Sequence, residues 1–247
     1  MARKRKTEPP VSKAKKKTKP KKRLGVFGWV RRWAFRFAMI CVAVLLIAVV
    51  VHSAVNPRAT FYMGQEERRL GSLDYQWIPI EEVAPVVARS VVAAEDANFC
   101  QHWGFDMTAI RAALDEGSGR GASTLSQQVV KNVYLWHGRS WARKALEAAI
   151  TPLVELFWSK RRIIEVYLNI AEFGEGVFGI DAAAHHYFGV APSDLSPIQA
   201  ARLAMVLPNP KGRSASRPTA NQRKRSAEIL DGAATIRRDG RAACFED

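Results

Sequence analysis

VVAAEDANFCQHWGFD, Val91 to Asp106, is an apolar, helix-compatible run that ends in two adjacent carboxylates, followed within eight residues by an aromatic, a histidine and a glycine. A helix that only packs against a core has no need of that ending. A carboxylate at a helix C-terminus sits where the macrodipole disfavours negative charge, so its pKa tends upward, as a general base working near neutrality requires. An exposed acidic helix end fits the same letters, and spacing alone favours that plainer reading.

Outward from this run, residues 57 to 247 show helical periodicity and few strand-like alternations. Helices are expected at Glu81 to Glu95, Met107 to Leu114, Thr124 to Leu135, Trp141 to Phe157, Lys160 to Ala171, Ile180 to Tyr187, Pro197 to Val206 and Ala220 to Ile236. DEGSGRGAS, between Leu114 and Thr124, reads as a glycine-rich loop. The body is therefore one mainly α domain whose loops carry polar motifs.

The formal charge of +15 suggests a nucleic-acid binder until its distribution is considered. Residues 1 to 36 hold 15 Lys and Arg against the single acid Glu8, leaving 23 basic and 22 acidic residues elsewhere. The body is nearly neutral, and no nucleic-acid partner is expected. From Phe37 to Val55 run 19 residues without a Lys, Arg, Asp or Glu, close to the ~20 needed to cross a bilayer. Arg31, Arg32 and Arg36 flank its start, with Trp29 and Trp33 suited to the interface. The positive-inside rule then puts residues 1 to 36, a disordered basic tail, in the cytoplasm and residues 57 to 247 outside. A cleaved signal peptide fits less well, because the basic region is too long and His52 sits badly before a cut after Ala54. The lysines suit orientation and contact with anionic membrane lipid.

Cys41 lies in the span, so only Cys100 and Cys244 could meet in an oxidising compartment. Two residues make no disulfide framework, and they are expected as unpaired thiols.

Two further motifs carry polar chemistry. In GASTLSQQVVKN, Gly121 to Asn132, a cap at Ser123 puts Thr124, Gln127, Gln128 and Lys131 on one stripe, with Leu125, Val129 and Val133 facing the core. Such a stripe is a wet surface, or else a site for an anionic sugar phosphate beside a helix N-terminus. In GRSWARKALEAAI, Gly138 to Ile150, Arg143 and Lys144 precede Glu147 by one turn. This is either a surface ion pair worth less than ~1 kcal/mol or a second site carboxylate near Lys131 and Arg139.

EDANFCQHWGFD, GASTLSQQVVKN, RSWARKALEA, RRIIEVYLNIAEFGEGVFGIDAAAHHYFG and ARLAMVLPNP resemble, in this order, the five motif blocks of the family 51 glycosyltransferases, the peptidoglycan polymerases. The likeness covers roughly residues 75 to 215. It implies a lysozyme-like, mainly α fold with a head lobe and a smaller, membrane-associated jaw, for which Trp136, Phe157 and Trp158 are candidate interfacial side chains. The implied substrate is lipid II, polymerised by an inverting transfer into glycan strands with release of undecaprenyl pyrophosphate. By motif position, Glu95 resembles the general base and Asp96 the holder of the local network, with Phe99, His102 and Gly104 shaping the turn. Lys131 and Arg139 resemble the pair that neutralises the pyrophosphate, and Phe99, Ser123, Gln127 and Gln128 match substrate-binding positions. Glu147 corresponds to the second carboxylate, with a divalent cation (Mg or Mn) as its candidate cofactor. Glu165 reads as structural, Ser126 as without a role, and His185 and His186, about 100° apart on a helix, as packing residues.

The only S-x-x-K, Ser12 to Lys15, lies in the basic tail, so the expected architecture polymerises glycan without cross-linking peptides. The expected location is an inner membrane, single-pass, with the catalytic domain periplasmic. Expected partners are lipid II, the growing strand, membrane lipid and proteins of the division or elongation machinery. Two other classes fit in part. A lysozyme-like hydrolase would also use two carboxylates, but a neutral leaving group needs an acid where a pyrophosphate needs cations. A non-catalytic membrane-anchored scaffold would have no use for both glutamates and the lysine.

Overall fold

A computed structural model describes residues 26–115, 123–138 and 140–246. The first element, α1 (Val26–His52), is a continuous helix of 27 residues, about 40 Å long at 1.5 Å per residue. It is long and apolar enough to cross a bilayer. It begins well before the expected Phe37, because the arginine-bearing turns continue the helix, and it ends at His52 rather than Val55. There the Ser53 hydroxyl donates to the Val50 carbonyl at 2.7 Å, and Pro57 biases the residue before it toward extended backbone. The chain divides into two compact units between Val44 and Leu45.

The second unit opens with α2 (Phe61–Leu70), capped by Thr60, whose hydroxyl accepts from the Met63 amide at 3.1 Å. It lies outside the expected helices, since FYMGQEERRL buries little beyond Met63 and Glu66. After β1 (Asp74–Tyr75) comes α3 (Pro85–Glu95). The expected start at Glu81 is wrong. Residues Ile80–Glu82 form a separate single 3-10 turn, Ala84 stays outside the helical region, and Pro85 takes the first helical position, where its missing N–H costs nothing.

Then follow α4 (Met107–Asp115), α5 (Leu125–Tyr134), α6 (Trp141–Phe157) and α7 (Lys160–Ile170). After them come β2 (Glu172–Gly174), β3 (Val177–Phe178), α8 (Gly179–Phe188), α9 (Pro197–Val206), α10 (Ala220–Arg238) and the short α11 (Ala243–Glu246). Side-chain caps at Ser140, Ser159 and Thr219 start α6, α7 and α10.

Helix α7 is the axis of the core: Ile163, Ile164, Val166, Tyr167, Leu168 and Ile170 are all buried, as expected of a helix surrounded on most sides. Helix α5 packs between α6 and α7, while α3, α9 and α10 form a second group. The small sheet has the order β1-β3-β2, with Asp74 opposite Val177 in the parallel pair and Glu172 opposite Phe178 in the antiparallel one. Asn169 at the end of α7 clamps the segment leaving β1, accepting from the Ile78 amide and donating to its carbonyl, each at 2.9 Å. Gly179 (φ +81°) lets β3 turn into α8 where a Cβ would stand 2.9 Å from the Asn169 carbonyl oxygen.

Two expectations are corrected here. Cys100 and Cys244 form a disulfide, with Cα atoms 5.7 Å apart, because the fold lays α11 beside the turn that follows α3. Trp158 does not face outward. It is buried and donates its indole N–H to the Val49 carbonyl at 2.8 Å, whereas Trp136 and Phe157 are exposed.

Candidate active site

Glu95 is the last residue of α3, and its carboxylate points toward α5. Oε2 accepts from the side-chain amide of Gln128 at 2.8 Å. Burial is the largest influence on Glu95 and raises its pKa above the ordinary 4.5; Gln128, Lys131 and Arg225 oppose that shift, and Asp96 adds to it.

Asp96 organises the surroundings. One oxygen takes the Nε2 of His102 at 2.8 Å and the other accepts from the Leu125 amide at 3.0 Å, so this buried carboxylate ties the α3 end to the N-terminus of α5. The cap of α5 is Thr124, not Ser123. Thr124 and Gln127 form a reciprocal capping box, and the Thr124 hydroxyl donates to the Gly104 carbonyl at 2.7 Å. Gly104 has φ +85°, and a Cβ there would meet Thr151 Cγ2 at 2.6 Å, so the turn closes only with glycine.

The expected substrate contacts separate accordingly. Phe99 is wholly buried, its ring under the Lys160 ammonium at 4.4 Å, and it holds the turn from inside the core. Gln127, also buried, has its side-chain oxygen on the Thr124 amide at 3.1 Å, so both side chains lack the exposure that a substrate contact needs. Ser126 does have a role: its hydroxyl donates to Glu155, which Lys160 also holds at 2.8 Å. Ser123 is exposed and accepts from Lys144 at 3.1 Å. Arg139 lies outside the described residues.

Glu147 is buried at 2 % exposure, which rules out the surface ion pair considered from spacing alone. One oxygen takes Arg143 at 2.8 Å and the other takes Lys144. A divalent cation does not fit this donor set, because both oxygens face cations and no cluster of three metal-ligating side chains occurs among the described residues. Burial lowers the pKa of Lys131, with the Glu147 charge the largest opposing influence.

Two clefts flank this arrangement. One, of about 340 Å³, is lined by Glu95, Asp96, Asn98, Asp106, Ser123 and Thr124. The other, of about 210 Å³, is lined by Gln128, Lys131, Tyr62, His137, Tyr167 and Glu172. The Glu95–Gln128 hydrogen bond therefore joins one cleft to the other. Sequence reasoning missed the α2 side of the second cleft. There Tyr62 donates to Glu172 at 2.7 Å and stacks on His137 at 3.8 Å between ring centroids, and burial pushes the His137 pKa down to about 4.

A family model described as Transglycosylase matches residues 64–234, a span that holds the lining of both clefts except Tyr62. The chain belongs to the transglycosylase family. Among its relatives, the biosynthetic peptidoglycan transglycosylase of Jannaschia sp. (strain CCS1) is 57% identical over 216 residues, covering 87% of this chain and 90% of its own length. That of Rhodospirillum centenum is 44% identical over 222 residues (88% and 96%), and that of Escherichia coli O127:H6 is 44% identical over 224 residues (85% and 92%). In this transglycosylase the family match begins within α2, so His137 and Glu172 of the second cleft fall inside it and Tyr62 lies two residues before it.

Proposed function

We propose that this chain, a peptidoglycan glycosyltransferase by family, polymerises lipid II with Glu95 as general base and Lys131 on the leaving pyrophosphate. The acceptor sugar lies in the cleft of Glu95 and Ser123, and the donor lies across the Glu95–Gln128 bond, beside Lys131. As the acceptor 4-hydroxyl oxygen attacks the donor anomeric carbon, its proton passes to the Glu95 carboxylate. The bond from that carbon to the pyrophosphate oxygen breaks, and undecaprenyl pyrophosphate leaves with the electron pair. A base must be ionised yet avid for a proton, which a desolvated carboxylate is, and developing phosphate charge is best met by a fixed cation in a dry site. Glu147, between Arg143 and Lys144, holds the cationic wall in register. By its motif position Arg139 is the second cation for the pyrophosphate.

One observation carries this reading: a half-buried carboxylate and a half-buried ammonium, each within range of the other's charge, stand at the border of two clefts. A hydrolase would place a proton donor, not an ammonium, at the leaving group. In the same reading α1 anchors the enzyme with Arg31, Arg32 and Arg36 on the cytoplasmic side, which sets the domain on the periplasmic face where its lipid-linked substrate and other wall-building proteins meet it.

The test uses detergent-solubilised protein with lipid II and, separately, with finished glycan. Polymer from the first and no fragments from the second are expected. Glu95→Gln keeps size and hydrogen bonding but cannot take the proton, so polymerisation should fall about 10² or more while lipid II binding survives. Activity within a few-fold of the parent moves the base elsewhere, with Glu147 next in line.

A further inference from the structure

We propose that Gln128 is a positioning residue for Glu95: its amide keeps the carboxylate ionised and aimed, and Tyr167 fixes which end of the amide faces it. The inference rests on Glu95 being the base.

A side-chain amide has one donating and one accepting end. Nε2 of Gln128 lies 2.8 Å from Glu95 Oε2, and its Oε1 lies 3.3 Å from the Tyr167 hydroxyl. Only the N–H₂ end can serve a carboxylate. Turned over, the amide would set a carbonyl against the carboxylate oxygens, an arrangement that favours the protonated acid and so disables a base. Tyr167 opposes that turn by donating to the carbonyl end. It is wholly buried on α7, and burial together with the Glu95 charge raises its pKa well above the ordinary 10, so it remains a hydroxyl at every working pH.

Other charges reach Glu95: Asp96 beside it, Lys131 on α5 and Arg225 on α10. Among the described residues, Gln128 alone makes a hydrogen bond to the carboxylate. The distinction matters once the donor binds, because pyrophosphate at Lys131 cancels the help that cation gives Glu95, whereas the amide bond persists. Engaging Oε2 also leaves Oε1 as the oxygen that takes the acceptor proton.

The rival is a plain substrate contact, since Gln128 lines the second cleft. Initial rates of the full-length enzyme on detergent-dispersed lipid II, from about pH 5 to about pH 9 and at saturating and limiting substrate, separate the two. Gln128→Met, similar in length and without the donor, should move the acid limb of kcat upward by about one pH unit or more, with KM changed less than about threefold. Tyr167→Phe should move the limb the same way by less. An unmoved acid limb with a raised KM in Gln128→Met overturns the inference in favour of a substrate contact. Should Gln128→Met fail to fold, Tyr167→Phe decides alone, and an unmoved limb there overturns the inference. Glu95→Gln measured in parallel keeps the two readings apart. If it stays active the base assignment fails; if it is inactive and the limbs do not move, only the positioning role fails.

Discussion

Cys100 and Cys244 are joined across 144 residues of chain, and the bond fastens the turn after Glu95 to α11. Around it, Phe99 and Phe245 lie 6.3 Å apart between ring centroids, Arg241 donates to the Ala97 carbonyl at 2.9 Å, and Arg161 donates to the Phe245 carbonyl at 3.0 Å. The chain beyond α10 thus braces the turn after Glu95 from behind.

Breaking this link should cost stability more than activity. A cross-link closing so long a loop restricts the unfolded chain by about 5 kcal/mol in the chain-entropy account, and measured losses are commonly about 2–5 kcal/mol. Cys244→Ser should therefore lower the unfolding temperature by several degrees, and reductant should lower that of the parent but not of the variant. Polymerisation at room temperature should stay within a few-fold, because the two Asp96 bonds to His102 and Leu125 hold the Glu95 side of the turn independently. An unfolding temperature indifferent to reductant would mean that the bond does not form.

Glu95→Gln should trade activity for stability in a pH-dependent way. Burial raises the folded pKa of Glu95, so below its ordinary value both folded and unfolded states are protonated and no penalty arises. As pH rises through the folded pKa, the native state must hold a desolvated charge and that part of its stability is lost. The variant escapes this penalty. Thermal unfolding of the two proteins at about pH 4 and about pH 7 should show a gap that widens in favour of Glu95→Gln as pH rises. A gap independent of pH would show that the parent carboxylate is well solvated.

Much of this was legible in the sequence, for reasons that differ by residue. Helices α6 and α9 have the expected limits, since Ser140 and the Ser196–Pro197 pair announce their starts and apolar spacing carries the rest. Glu95 stood out because a carboxylate ends an apolar run. What stayed hidden depends on contacts between distant elements. Thr124 and Ser123 are equally good caps on paper, and only the Gly104 carbonyl over the Thr124 hydroxyl decides between them. The amide of Gln128 reads as wet surface until α3 and α7 bring Glu95 and Tyr167 to its two ends. Helix α2 leaves little trace, because polar side chains cover most of it and its function lies in Tyr62 facing Glu172.

Lys131 should set the alkaline limb of the rate. In the proposed mechanism its ammonium meets the leaving group, and burial lowers its pKa below the ordinary 10.5, so activity should decline as pH rises through that lowered value. Lys131→Arg, which stays charged throughout, should remove that decline at the cost of a lower maximum. Lys131→Ala should lower kcat by about 10² while KM changes much less, as for a contact that strengthens in the transition state. A rise in KM at unchanged kcat would reduce the lysine to a docking contact.

The end of α1 should matter to the fold of the catalytic unit. Trp158 donates to the Val49 carbonyl, while the Arg162 guanidinium donates to the His52 carbonyl at 3.2 Å and to the Asn56 side chain at 2.8 Å. Both side chains are buried, so removing the Val49 and His52 carbonyls leaves the Trp158 indole and the Arg162 Nε and Nη2 donors without those partners, at about 1–3 kcal/mol each, while Asn56 and Glu165 still hold Nη1. A protein starting at Asn56 should consequently unfold several degrees below one starting at Leu45, although neither carries a full span. Both should polymerise detergent-dispersed lipid II, and both should lag the full chain on liposomes, where an anchored enzyme meets its lipid-linked substrate in two dimensions at high effective concentration. Equal unfolding temperatures for the two truncated proteins would reduce the last turns of α1 to a tether, and equal rates on liposomes for all three would assign the membrane affinity to the catalytic unit itself.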